Sequence, residues 1–197
     1  MPSPVHESII SAISREFNSV AASLPEPIGS SIEVVANQEY KNFQGRYRGS
    51  RKTPDLAVEF TEGNGPLHPK FILEVGFSEP YQDLIQTAKL WLNGKPQVSV
   101  VMIVNFEENP PFRCPARGLD DEQLLQLQFP DDVETEWEQF IAHDNYGPVT
   151  YRGLEWVGRF AAVYAEVWRR DPATGFATQS GNRVVGYSSN FLIFDAN

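Results

Sequence analysis

Asp55, Glu74 and Lys89 are the residues whose types and spacing could do chemistry. Asp55 follows Pro54 and opens the apolar run DLAVEF; Glu74 closes the apolar run FILE; Lys89 interrupts an apolar helical pattern just before Trp91 and Leu92. If the two runs are neighbouring strands, both carboxylates emerge at one end of a sheet. Carboxylates that close repel each other unless a divalent cation lies between them. Mg²⁺ or Mn²⁺ suits such a pair: the hard ion takes one or two protein carboxylates, keeps several waters and accepts substrate phosphate. Bound there, it polarises a phosphoryl oxygen and lowers the pKa of a bound water. The Val75 carbonyl is an additional ligand candidate. Lys89 would stabilise charge on a scissile phosphate or orient the attacking water. The plainer alternative for Lys89 is a side chain that snorkels from a half-buried helix.

Upstream, residues 41–52 (KNFQGRYRGSRK) carry five basic groups and no acid. Arg46, Arg48, Arg51 and Lys52 could hold phosphates beside the carboxylates, with Phe43 or Tyr47 available for stacking. In an extended segment, alternation places Arg46 and Arg48 on one face. Glu7 lies on the first helix, on the flank of its apolar face. His6 beside it falls on the apolar face of that helix, where a core role is the ordinary reading.

The elements that must position these groups follow from periodicity. Residues 4–24 read as a helix: Ser3 can cap it, Pro4 fits its first turn, and Val5, Ile9, Ile10, Ile13, Phe17, Val20 and Leu24 share a face. Strands are expected near 32–36, over 55–60, over 70–77 and over 97–106, with a helix over 80–93 ended by Asn93-Gly94. A right-handed crossover puts the 97–106 strand parallel to and beside the 70–76 strand. Residues 107–149 break the pattern with prolines and acids, and are expected to hold short helices near 119–128 and 131–143. Residues 150–170 and 176–193 read as late strands joined by the turn Asp171–Gly175.

The totals bound the answer. A chain of 197 residues is long enough for one domain with a real core, here a core of about 1–106 and 150–193 with an insertion at 107–149. The net charge of −10 is localised: residues 107–144 hold eleven acids against two arginines, a balance of −9. A local basic patch governs phosphate contact more than the total does. The lone Cys114 excludes an internal disulfide and a cysteine-rich zinc site, and points to a reducing compartment. No apolar run suits a membrane span and no signal peptide is visible, so an intracellular location, nuclear or cytoplasmic, is expected. Gly-rich phosphate loops, G-x-S-x-G and H-E-x-x-H are absent from the sequence.

Pro54-Asp55, then Glu74-Val75-Gly76-Phe77-Ser78-Glu79, then Lys89-Leu90-Trp91-Leu92 resemble the PD-(D/E)XK nuclease-like superfamily. The stretch is similar to a branch abundant in filamentous fungi, in which the lysine has migrated to the following helix; superfamily members often add an acid from the first helix to the metal site, which makes Glu7 a further metal-ligand candidate. The match covers about residues 45–106, and Gly76 stands where the superfamily usually has its lysine. The order of the elements predicts a mixed α/β sheet with helices on its faces; the resemblance implies a restriction-endonuclease-like core of about four strands flanked by helices, to which the C-terminal strands are extra. It also implies metal-dependent hydrolysis of phosphodiester bonds. Nucleic acid is then the expected partner, DNA ahead of RNA, with a homodimer as a candidate assembly. Two other classes stand beside it: a catalytically inactive module of the same fold that binds nucleic acid or protein, and an interaction domain using residues 107–149.

Overall fold

Helix α1 spans Pro4–Ser23, close to the range its periodicity predicts. The computed structural model describes residues 4–61, 63, 65–77, 79–108, 113–126, 141–142 and 148–186. The Ser3 cap therefore lies outside the described residues. Phe17 on α1 packs on Phe71 of strand β3 (His68–Phe77), with ring centroids 4.7 Å apart. Val20 and Leu24, expected on the covered face, are exposed instead. Leu24 lies beyond the helix, which ends at Ser23.

The chain divides into two compact units, residues 1–105 with 164–184, and 106–163 with 185–197. The first is built on a six-stranded mixed sheet, with parallel and antiparallel strands, in the order β1-β2-β3-β4-β8-β9. Its strands are β1 (Ile32–Val35), β2 (Leu56–Phe60), β3, β4 (Val100–Glu108), β8 (Phe160–Arg170) and β9 (Ala177–Gly186). Residues 106–108 of β4, 160–163 of β8 and 185–186 of β9 belong to the second unit. β1 runs antiparallel to β2, pairing Ile32 with Phe60 and Val35 with Ala57. β2 runs antiparallel to β3, pairing Leu56 with Leu73 and Ala57 with Ile72. Helix α2 (Tyr81–Gly94) then crosses over and β4 enters beside β3.

Strand alternation decides what α2 covers. Ala57 and Ile72 are fully buried and join Leu84, Ala88, Trp91 and Leu92 of α2 in one apolar cluster. Asp55, Glu74 and Gly76 share the parity of Ala57 and Ile72, so their side chains fall on the α2 face of the sheet. The C-terminal end of α2 is held by Arg170, whose guanidinium donates to the carbonyls of Leu92 (2.8 Å) and Lys95 (2.9 Å). These are carbonyls a helix end leaves unsatisfied. Gly94 permits close packing there: a Cβ would lie 3.0 Å from Phe43 and 3.1 Å from Tyr47.

In the second unit the described residues hold helix α3 (Asp121–Gln126) and a three-stranded antiparallel sheet, β5 (Ile141–Ala142), β6 (Val149–Tyr151) and β7 (Leu154–Val157). The helix expected over 131–143 falls mostly outside the described residues; its described end, Ile141–Ala142, is strand. The single strand expected over 150–170 is three strands, broken at Arg152-Gly153, where both residues take a left-handed conformation (φ 51° and 76°). The Asp171–Gly175 turn is as expected: the Asp171 carboxylate accepts from the Ala173 and Thr174 N–H groups, at 2.8 Å each. No helix among the described residues is long and apolar enough to cross a membrane.

Candidate functional site

One step beyond the Leu56–Leu73 pair, the backbone stops pairing and a side chain takes over. The Val75 N–H donates to Asp55 Oδ2 at 2.6 Å. That bond fixes Asp55 beside Glu74 where β2 begins, while β3 runs on to Phe77. Asp55 Oδ1 meets His6 Nε2 of α1 at 3.1 Å, and His6 Nδ1 lies 3.4 Å from Glu7 Oε1. Glu7 itself is 58% exposed and stands behind His6. The first helix thus reaches the carboxylates through His6, which sequence reasoning had placed in the core.

Glu74 is buried on the α2 face, at 6% exposure. Trp91 Nε1–H donates to its Oε1 at 2.6 Å, and Lys52 Nζ lies 3.7 Å from its Oε2. Burial pushes the Glu74 carboxyl up to about 7, and the neighbouring charges of Asp55 and Glu79 add to the rise. The Lys52 charge and the Trp91 hydrogen bond oppose it. Burial also raises Glu79, with Asp55 and Asp83 adding to the shift and Lys52 opposing it. Asp55, Glu74, Glu79, His6 and Lys52 therefore form one electrostatic group, in which acids outnumber firm cations.

The ammonium of this group is Lys52. It is set by a backbone bridge: Tyr40 N–H donates to the Lys52 carbonyl at 2.8 Å, and Lys52 N–H to the Tyr40 carbonyl at 3.1 Å. Tyr40 is in turn anchored by its hydroxyl, which donates to the buried Glu59 carboxylate at 2.9 Å, and by its edge contact with Trp91. Burial, with Glu59 beside it, raises the Tyr40 hydroxyl far above the usual tyrosine range, so it stays a donor.

Lys89 is placed elsewhere. It lines a pocket with Arg46, Tyr47, Asn93, Phe176 and Ala177. The reason is helical phase: Lys89 precedes Trp91 by two residues, about 200° around the helix, and Trp91 points at Glu74. Gly76 has no room for a lysine either. A Cβ there would collide with Leu84 Cδ1 and come within 2.5 Å of Asn105 Oδ1.

The basic stretch also differs from expectation. Residues Gly45–Tyr47 form a tight 3₁₀ turn entered through Gly45 at φ 59°, so the extended alternation of Arg46 and Arg48 does not occur. Arg46, Arg48 and Arg51 are exposed, and only Lys52 of the four turns in to the carboxylates.

Among the described residues, no cluster of three or more His, Cys, Asp or Glu side chains has metal-ligand spacing. The donor set for an ion is the minimal one, Asp55 and Glu74. The Val75 carbonyl shares the edge of its N–H, because both groups of a strand residue serve the same neighbour. Two hard oxygens in a pocket of excess negative charge fit Mg²⁺ or Mn²⁺, which retain waters, better than an ion needing a closed cage.

A second buried group was missed from sequence. Glu166 on β8 is 1% exposed; it accepts from Tyr81 Oη at 2.7 and 2.8 Å, from Trp168 Nε1 at 3.1 Å and from Arg183 Nε at 2.6 Å. The signal was available: Tyr164, Glu166 and Trp168 share one strand face, and its aromatics are buried. No family model, no curated protein and no solved structure matches this chain.

Proposed function

We propose that this protein hydrolyses phosphodiester bonds of nucleic acid with Mg²⁺ or Mn²⁺, using Asp55, Glu74 and Lys52. One observation carries the reading: two carboxylates and an ammonium converge where β2 begins beside β3, with Lys52 Nζ 3.7 Å from Glu74. Asp55 and Glu74 would hold the ion, which supplies Lewis-acid polarisation of a phosphoryl oxygen and a more acidic water. The Val75 N–H and His6 orient Asp55, and the Trp91 N–H orients Glu74. Lys52 offers positive charge where a phosphate gains negative charge in the transition state. It does the work that the sequence pattern assigned to Lys89. The likeness to the PD-(D/E)XK pattern supports the same chemistry, as does a mixed sheet flanked by helices.

Cleavage of single- and double-stranded DNA and RNA with either metal tests it. Asp55→Ala, Glu74→Ala and Lys52→Met should each lose about 100-fold or more in rate, on the scale of removing one transition-state donor. Lys89→Ala should leave turnover near wild type at saturating substrate. Cleavage that survives Lys52→Met and fails in Lys89→Ala would overturn the lysine assignment.

A catalytically inactive nucleic-acid module is the second reading. It is favoured by the engagement of both Asp55 oxygens, one by the Val75 N–H and one by His6. Wild-type protein that binds Mg²⁺ in calorimetry but cleaves nothing would select it.

A further inference from the structure

We propose that the pocket beside α2 lined by Arg46, Tyr47, Lys89, Asn93, Phe176 and Ala177 binds one unstacked nucleotide, making single-stranded nucleic acid the preferred ligand. The proposal rests on the nucleic-acid part of the reading above and deepens it. The pocket has a volume of about 420 Å³, within the range of small-ligand sites. It offers two cations and no carboxylate, in a chain whose net charge is −10.

Its parts are fixed. The Arg46 guanidinium lies over the Tyr47 ring, 4.8 Å from the centroid, and donates to the Tyr47 hydroxyl at 2.6 Å. Tyr47 is held against the end of α2 by its close approach to Gly94. On the far side, Asn93 Oδ1 accepts from the Ala177 N–H at 2.9 Å, and the Asp171 N–H donates to the Phe176 carbonyl at 2.8 Å. Both groups belong to the peptide that follows Phe176, so the two bonds pin the backbone there while the residue stays 68% exposed. An exposed aromatic residue that lines one pocket with an arginine and a lysine is the chemistry of a base-stacking platform with phosphate contacts. In a duplex both faces of each base are already stacked, so only an unpaired base can use Phe176. Lys89, turned away from the carboxylates, gains a role here as a phosphate contact.

Fluorescence anisotropy on the full chain tests this, with chelator present so that no strand is cut. The probes are a labelled DNA of about twelve nucleotides, the RNA of the same sequence and the corresponding DNA duplex. Wild type should bind the single strands more tightly than the duplex; the two single-strand arms decide between DNA and RNA. Phe176→Ala and Lys89→Ala should each weaken single-strand binding about ten-fold, and Lys89→Ala should also flatten its salt dependence. Phe176→Trp should restore wild-type affinity, which a merely structural role for the ring would not require. Equal or tighter duplex binding, wild-type affinity in Phe176→Ala, or no binding to any strand would overturn the proposal. Should wild type fail to cleave with Mg²⁺ or Mn²⁺ while these single-strand effects persist, the hydrolytic reading falls and the pocket assignment stands.

Discussion

Glu74 and Glu166 are both buried in the first unit, yet they are surrounded in opposite ways. Glu166 accepts from a tyrosine, a tryptophan and an arginine, and the Arg183 guanidinium also covers the Tyr164 ring at 4.0 Å and the Tyr81 ring at 4.9 Å. Its charge is paid for within the fold. Glu74 has one firm donor, Trp91, a lysine at 3.7 Å, and two neighbouring acids that raise it further. A buried carboxylate with its partners in place is a structural member. One left in excess negative potential is suited to a cation or a proton from outside, which is the condition found at reactive sites. Asn105 lies beside both regions. Its Nδ2 donates to the Tyr164 hydroxyl at 2.9 Å, and its Oδ1, beside Gly76, has no hydrogen-bond partner among the described residues.

The contrast breaks first if the Glu166 group proves dispensable. Arg183→Met leaves Glu166 buried without its cation and should cost about 3 kcal/mol, the lower end for a broken buried pair because Arg183 is partly exposed. Urea denaturation reads this, and a loss under about 1 kcal/mol, the range of a surface pair, would make the two glutamates alike.

Glu74→Gln should act in the opposite direction. A carboxyl raised from 4.5 in the unfolded chain to about 7 in the fold binds its proton more tightly when folded. Its stabilising contribution is therefore complete below about 4.5 and is lost as pH rises through about 7. Replacing it with the neutral amide should remove that slope and stabilise the protein by roughly 3 kcal/mol at pH 8 relative to pH 4, measured without metal. An unchanged slope between those pH values would count against Glu74 as the poised group.

Gly76→Ala sharpens the boundary between the regions. The added carbon meets Leu84, Asn105 Oδ1 at 2.5 Å and Glu79 Oε1 at 3.2 Å, and overpacking of this kind costs about 1–3 kcal/mol. Thermal melts that match wild type would mean that the α2 face tolerates a side chain where none is expected to fit.

The smallest effect is expected of Tyr40→Phe. It removes the donor to buried Glu59 and should cost about 1–2 kcal/mol. Because Tyr40 also sets Lys52, it should lower metal-dependent cleavage as well as stability. Stability lost with cleavage unchanged would separate Tyr40 from the site.

Much of the first unit was legible as pattern. The runs DLAVEF and KFILEVGF, the helix between Pro80 and Gly94 and the strand after it stand near the expected positions, because buried strands and amphipathic helices write their period into the chain. Asp55 and Glu74 were legible as the polar ends of apolar runs. The partners of those carboxylates were not. Lys52 looked like one of four loop cations, and nothing local distinguishes it from Arg51. The Tyr40–Lys52 backbone bridge turns it inward, and that contact joins two positions that no helix or strand period relates.

The sequence by itself determined the strands, the helices and the two acids, because periodicity and burial preference are local properties. The tertiary structure alone decided which cation serves them. The rotation of α2, fixed by Trp91 packing into the core and bonding Glu74, carries Lys89 away from the carboxylates and sends it to a pocket with Arg46 and Phe176. A two-residue offset on a helix is about 200° of direction, and only the packed neighbours say which way zero points.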